Sequence, residues 1–322
     1  MSRRARAALF GLGAAALLLV AAEAAGRHHA HMVFPADEPG RGYATVPFAY
    51  GTNGGGFLER EVAAGADPTV RRVAVLGDSM TYGTGTAEEA YTRAAEARLG
   101  AGWQVLNFAQ YGYDAAQSAA TLRHRVWAFA PDLVVYAAYT NDVLPSRVIY
   151  TGDPPLPESV SARTELLPRA LRERSSLLRH LEGALLVRRI AQTPDHPAFR
   201  DAVADIAAQC AAHGVPLVVF AQVPHVAAGL DRADGACGEA CRAQVAVAVE
   251  QERIVRGLGV PVASALPYLR AADVTGFPSA NAADWEHPSP AGHRVLGAAL
   301  ADVLTRHAAG LPLPGIDPLR AP

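Results

Sequence analysis

The sequence predicts an α/β fold built on a doubly wound parallel sheet, and three observations carry that prediction. Short, largely apolar and mostly β-branched runs recur along the chain without polar alternation, as strands buried on both faces require. Helical stretches with recognisable starts and stops fill the intervals between them. Short turns join the two kinds of segment, so strand and helix alternate.

Each element can be justified in order. The amino terminus carries Arg3, Arg4 and Arg6, then an uncharged Ala/Leu/Val-rich run from Ala7 to Ala22, then Glu23. Residues 1–26 therefore read as an export signal peptide or an N-terminal membrane anchor, with the arginines on the cytoplasmic side. The run is nearer in length to a signal-peptide core than to a span of about 20 residues, and Ala22-Glu23-Ala24 offers a small-x-small cleavage site; Ala24 to Gly26 leave an anchor open. Residues 27–70, rich in Gly, Pro and small polar side chains, read as a linker and irregular surface chain. His28, His29 and His31 lie within it, with no carboxylate or cysteine framework that would make them a metal site.

The strands follow. Val73–Leu76, Gln104–Phe108, Asp132–Ala138 and Pro216–Ala221 are the clear ones, and Val260–Ala263 is a weaker fifth. Thr86 and Glu89 form a capping box that opens a helix running to about Leu99, where Gly100 stops it. Asp114 and Gln117 open another toward Phe129 in the same way. Ala198–His213 and Gly238–Leu258 end at Gly214 and Gly259. In the last helix Ser289 is the N-cap and Pro290 takes the first position; Val295, Leu296, Ala299, Leu300, Val303 and Leu304 form one apolar stripe. Residues 145–197, with many prolines and the Arg/Leu-rich stretch SSLLRHLEGALLVRRIA, break the rhythm. They read as an insertion carrying an extra packed helix, with a lid or a membrane-surface helix as alternatives. The main domain is expected over residues 71–310, followed by a C-terminal tail at 311–322.

Composition narrows the function. Half of the 322 residues are apolar, enough for a substantial core, and the formal charge of −2 offers no field for a polyanion. All 29 basic residues are arginine, and nucleic acid is not expected as a partner. Of three cysteines, Cys237 and Cys241 are spaced for a local disulfide in an oxidising compartment, which leaves Cys210 unpaired.

In an open α/β sheet the ligand binds beyond the carboxyl ends of the strands, so the residues there are candidates for chemistry. They are Ser79 after the first strand, Gly112 after the second, Asn141 and Asp142 after the third, and Asp284 with His287 after the fifth. A serine hydroxyl needs a base within hydrogen-bond reach and a third group to fix that base. His287 is the candidate base, and Asp284, three residues earlier in a non-helical turn, is its candidate orienting partner. The backbone N–H groups of Ser79 and Gly112 and the Asn141 side-chain amide are the candidate oxyanion donors. Asp78 and Asp142 read as structural, bonding turn amides. His225, just past the fourth strand, is a candidate substrate contact.

GDSMTYG at 77–83, Asn107 followed five residues later by Gly112, Asn141-Asp142, and Asp284-x-x-His287 together resemble the four ordered blocks of the SGNH/GDSL hydrolases. The resemblance spans Val73 to about Leu304. It implies a flavodoxin-like three-layer α/β/α sandwich with a central parallel sheet of about five strands, and a serine ester hydrolase with no metal or organic cofactor. It assigns Ser79 as nucleophile, His287 as base, Asp284 as its partner, and Ser79, Gly112 and Asn141 as the oxyanion hole. In one place the chain departs: where the family's third block usually begins with glycine, this chain has Tyr139, a bulky group expected to narrow the acyl pocket, which makes it a candidate substrate contact, or to displace the loop. An exported location makes envelope glycan O-acetyl esters or lipid esters the expected substrates. An O-acyltransferase using the same triad is the alternative in chemistry, and relatives that work that way often carry an Asp-x-His pair ahead of the serine, which is absent here. A non-catalytic binding module on the same fold is the alternative of another class.

Overall fold

The computed structural model describes residues 3–28, 33–45, 47–48, 51–83, 85–143, 175, 177–178, 195–224, 227, 239–272 and 287–316. Five parallel strands form the main sheet: β3 (Arg71–Gly77), β4 (Trp103–Asn107), β5 (Leu133–Ala137), β6 (Leu217–Ala221) and β7 (Val262–Ser264). Their order is β4-β3-β5-β6-β7, the flavodoxin-like order, with Val73 registered against Val105 on one side and Leu133 on the other. A separate antiparallel pair, β1 (Val33–Pro35) and β2 (Tyr43–Thr45), precedes it.

Side chains alternate across a strand, so the central strands feed two cores. Val73, Val75, Val135, Val218 and Phe220 meet helices α3 (Tyr91–Leu99) and α8 (Pro290–Ala308) on one face. Ala74, Leu76, Val134, Tyr136 and Val219 meet α4 (Ala115–Thr121) and α5 (Pro197–His213) on the other. The result is the three-layer sandwich expected from the sequence. Between α2 (Ser79–Tyr82) and the carboxyl end of the chain's described part also lie α6 (Glu239–Gly257) and α7 (Leu266–Ala271).

The capping signals locate helix starts well. Asp114 accepts from the Gln117 N–H, and the Gln117 side chain accepts from the Asp114 N–H. Ser289 accepts from the Gly292 N–H, with Pro290 in the first position. Helix continuity is less regular than the sequence suggests. The Thr86–Glu89 box closes only a 3-10 turn at Ala87–Glu89; Ala90 is extended, and the α-helix begins afresh at Tyr91. That restart buries Tyr91, whose hydroxyl bonds Thr81 Oγ1 at 2.9 Å and Gln222 Nε2 at 2.8 Å. The helix opened by Asp114 widens to a π turn at Leu122–Val126, then tightens to a 3-10 turn that ends where Ala130 adopts a left-handed φ of 45°. A capping box fixes where the first turn starts and carries no information about the turns that follow.

The stretch read as irregular surface chain is built into the domain. Phe57, Leu58 and Glu59 are buried, Gln110 Nε2 donates to the Gly56 carbonyl, and the Glu59 carboxylate accepts the Asn107 N–H at 2.9 Å. Glu96 likewise accepts the Val105 N–H at 2.8 Å, so two outward N–H groups of edge strand β4 end on carboxylates. At the opposite edge the Ser264 N–H of β7 donates to the Pro314 carbonyl, and Ile316 is buried with its N–H on the Glu252 carboxylate. Within 311–316 the chain thus lies along the β7 edge, with Ile316 in the core and Leu313 packed against it.

Helix α1 (Arg3–His28) exposes Leu12, Leu17, Leu18, Leu19 and Val20. Among the described residues no helix is long and apolar enough to cross a membrane. At about 1.5 Å per residue, the uncharged run 7–22 falls short of the ~30 Å hydrocarbon core. The Glu23 carboxylate accepts the Ser175 hydroxyl and the Leu177 N–H. Most of the 145–197 insertion lies outside the described residues.

Candidate active site

The site is assembled at the crevice between β3 and β5, where the strand order reverses. β3 ends in Gly77, and glycine is needed there: a Cβ would fall 2.5 Å from Thr81 Oγ1 and 3.1 Å from the Ala137 carbonyl oxygen of the neighbouring strand. Asp78 then caps α2, its carboxylate accepting the Met80 N–H at 2.9 Å. Ser79 is consequently the first helical residue past the end of a central strand, buried but reachable at 8 % exposure. His287 arrives from the far end of the chain, two residues before the Ser289 cap of α8. Its Nε2 lies 2.8 Å from Ser79 Oγ.

The other predicted residues fall around this pair. Gly112 is buried and left-handed at φ 72°, a conformation that favours glycine. Asn107 shapes the loop between them, its amide donating to the Thr81 carbonyl and its Oδ1 accepting the Ala109 N–H. Asn141 sits in a 3-10 turn, Thr140–Val143, that follows β5, near enough to Asp78 to counter part of the rise in that carboxyl's pKa. Its Oδ1 is buried with no hydrogen-bond partner among the described residues. Asp142 accepts the Tyr139 N–H at 2.7 Å. Both aspartates read as structural therefore do bond turn amides.

Tyr139 is placed differently from the expectation of a substrate contact. Its side chain is 1 % exposed and turned into the protein, where its hydroxyl donates to Gln244 Oε1 on α6 at 3.0 Å. Asp284, His225 and Cys237 lie outside the described residues. Cys241 is disulfide-bonded, and Cys210 is a free buried thiol whose pKa burial pushes up to about 12. Among the described residues no group of three or more His, Cys, Asp or Glu is placed to hold a metal ion.

Burial dominates the electrostatics beneath the serine. It raises the Asp78 carboxyl to about 6, against the pull of the Met80 N–H, the Asn141 amide and the nearby His287. Burial, and then the Asp78 charge, push Asp142 well above the carboxylate range. The two acids therefore do not both stay ionised at neutral pH.

Three groups of residues here carry no signal in the sequence. Tyr111, next to Gly112 and 54 % exposed, stacks on the His287 ring at 6.2 Å between centroids and 14° between planes. His293 is buried against Tyr91; burial and the His287 charge depress its pKa to about 4, which keeps it neutral beside the site. Gln244 and Gln251, on α6, hold the Tyr139 turn. Each acts through a spatial neighbour far away in the chain, which the local sequence does not encode.

A serine hydroxyl bonded to an imidazole at the carboxyl end of a central parallel strand defines a hydrolase-type site on an α/β sandwich. The sequence profile of the GDSL-like lipase/acylhydrolase family matches residues 75–295, more than half of the chain, and the chain belongs to that family of ester-hydrolysing enzymes. Among solved structures it is similar to LAE5, an alpha/beta hydrolase from the metagenome of Lake Arreo, at 16% identity and a TM-score of 0.47 over 77% of this chain and 97% of that one. A member of the lipolytic G-D-S-L family from Veillonella parvula matches at 13% identity and a TM-score of 0.45, covering 73% of this chain and 98% of that one. Axe2, an acetyl-xylooligosaccharide esterase from Geobacillus, matches at 17% identity and a TM-score of 0.44, covering 76% and 95%. No curated protein sequence gives a significant match.

Proposed function

We propose that the protein is an exported serine esterase that cleaves carboxylic esters through an acyl-enzyme on Ser79. The observation that carries this reading is the 2.8 Å contact between Ser79 Oγ and His287 Nε2 at the strand end. In the proposed reaction His287 takes the serine proton as Oγ attacks the ester carbonyl, and the negative charge moves onto the carbonyl oxygen. The Ser79 and Gly112 N–H groups and the Asn141 amide are the donors proposed for that oxygen. His287 then returns the proton to the departing alcohol. Water, activated by the same imidazole, releases the acid and restores the serine. Asp284 is assigned to orient His287, on the strength of its spacing and the family resemblance.

Export is supported by the arginine-led apolar amino terminus and by the disulfide at Cys241, which suits an oxidising compartment. In a bacterium export would carry the domain to the periplasm or the cell surface, with the N-terminal segment as a cleaved signal. Acylated envelope glycans and lipid esters are the substrates that suit that location.

The test is covalent labelling. Folded protein treated with a fluorophosphonate is expected to carry the adduct on Ser79 and to lose turnover of p-nitrophenyl acetate. Absence of label together with absence of turnover would leave a binding module on a hydrolase fold. If an added oligosaccharide captures the acyl group in place of water, the enzyme is an O-acyltransferase.

A further inference from the structure

The turn that carries Asn141 is held from outside the family's blocks. Tyr139 and Thr140, the two residues just before Asn141, both donate their side-chain hydroxyls to one atom, Gln244 Oε1, at 3.0 and 3.1 Å. One residue of the same turn is also held through its backbone, where Gln251 Nε2 donates to the Tyr139 carbonyl at 2.8 Å. Gln244 and Gln251 are two turns apart on α6, so they lie along one face of it. Within the turn itself, Asp142 accepts the Tyr139 N–H. Tyr139, Thr140 and Gln251 are 1 %, 5 % and 2 % exposed and Gln244 is half-buried, so these bonds lie largely away from water.

From this geometry we infer that Gln244 and Gln251 are positioning residues for catalysis, a clamp that fixes Asn141 through the Tyr139–Thr140 backbone and makes tyrosine workable where relatives carry glycine. A glycine in that position has no side chain with which to tie the turn down. The tyrosine sends its ring under α6 and uses the hydroxyl as a tether, so the bulk expected to crowd the acyl pocket is removed from it. A preorganised oxyanion donor is effective only if its amide is already in place when charge develops. Three hydrogen bonds from one rigid helix supply that fixation. The inference rests on the proposed role of Asn141.

The atoms involved give the test its discrimination. Gln244 serves the turn as an acceptor, so Gln244→Glu retains the function and Gln244→Leu removes it. Gln251 serves as a donor, so Gln251→Glu removes it. With p-nitrophenyl acetate, Gln244→Leu and Gln251→Glu are each expected to lower kcat about tenfold or more at little change in KM, within the ~10²–10³ that loss of an oxyanion donor costs. Gln244→Glu is expected to stay within about threefold of the parent. In an Asn141→Ala background the Gln244→Leu loss should disappear, because its route of action is gone. Circular dichroism and thermal melts identify any variant that has lost its fold, and Tyr139→Phe, which removes the hydroxyl's bond to Gln244 and leaves those of Thr140 and Gln251, gives a milder second probe. If Gln244→Leu lowers kcat by the same factor with or without Asn141, or not at all while Asn141→Ala lowers it, the clamp is refuted and the proposed function stands. If Asn141→Ala leaves kcat unchanged while Ser79→Ala abolishes it, the assignment of Asn141 fails and the clamp fails with it.

Discussion

Replacing Gly297 by alanine sets two opposed effects against each other, and the structure decides between them. Gly297 lies in the middle of α8, where an exposed Gly→Ala change stabilises a helix by about 1 kcal/mol. Here, however, a Cβ would sit 2.5 Å from Ala94 Cβ, 2.8 Å from the Tyr91 carbonyl oxygen and 3.0 Å from the Ala95 nitrogen. Two of these neighbours are backbone of α3, which cannot rotate away, so the helices must separate by roughly 1 Å to restore van der Waals distances of ~3.5–4.0 Å. Overpacking of this kind typically costs ~1–3 kcal/mol. The net expectation is a loss of up to about 2 kcal/mol, or up to roughly 8 °C in Tm at ~2–4 °C per kcal/mol. The same displacement moves the start of α8, and with it His287. A misplacement near 1 Å can cost up to ~10²-fold in rate, so kcat should fall by at least about tenfold. Differential scanning calorimetry and p-nitrophenyl acetate turnover measure the two. Gly257→Ala is the control: it lies at the end of α6 with nothing within 4 Å of its added Cβ, and should be neutral or slightly stabilising. A Tm for Gly297→Ala at or above that of the parent would show that α8 and α3 do not approach as closely as described.

Glu59 should make stability depend on pH in the neutral range. Burial raises its carboxyl from 4.5 to about 7, even though the Asn107 and Arg60 N–H groups oppose the rise. The folded state therefore holds the proton more tightly than the unfolded one: its stabilising contribution is present below pH ~4.5 and is lost as pH rises through about 7. Glu59→Gln, which keeps a carbonyl acceptor for one of those two N–H groups, should raise Tm at pH 8.5 by several degrees more than at pH 5, from a difference on the order of 2–3 kcal/mol; equal shifts at both pH values would refute the burial argument. Tyr111→Ala should reduce kcat/KM about three- to tenfold by removing the stack on His287, a contact of ~0.5–1.5 kcal/mol. Tyr111→Phe, which preserves the ring, should be near the parent in the same assay, and equal losses in the two variants would assign the effect to the hydroxyl instead.

The strands were legible because parallel strands buried on both faces must be apolar throughout, and Val73–Leu76 or Pro216–Ala221 admit few other readings. Helix starts were legible for a local reason: Asp114 with Gln117, and Ser289 with Pro290, satisfy N–H groups only a few residues away. Ser79 and His287 could be paired because topology brings strand ends to one rim. What could not be read depends on contacts across the chain. Nothing in a surface-like glutamine such as Gln244 marks it as the acceptor for a tyrosine 105 residues away. The Gly-rich chain around Glu59 looks loose because its anchors, Asn107 and Gln110, lie in a different part of the sequence. The break at Ala90 and the π turn after Thr121 follow from how Tyr91 and Leu122 must be buried, which local capping signals do not encode.

The treatment of the two sheet edges bears on how the chain behaves among copies of itself. An outermost strand with vacant N–H groups is a template on which another chain can grow the sheet. In β4 the Val105 and Asn107 donors already end on Glu96 and Glu59, and in β7 the Ser264 donor ends on the Pro314 carbonyl. An incoming strand would have to displace a carboxylate at one border and peel residues 311–316, with buried Ile316, from the other. The main sheet is thereby terminated at five strands by its own flanking segments, and a second copy of this protein cannot extend it by backbone pairing without first displacing them.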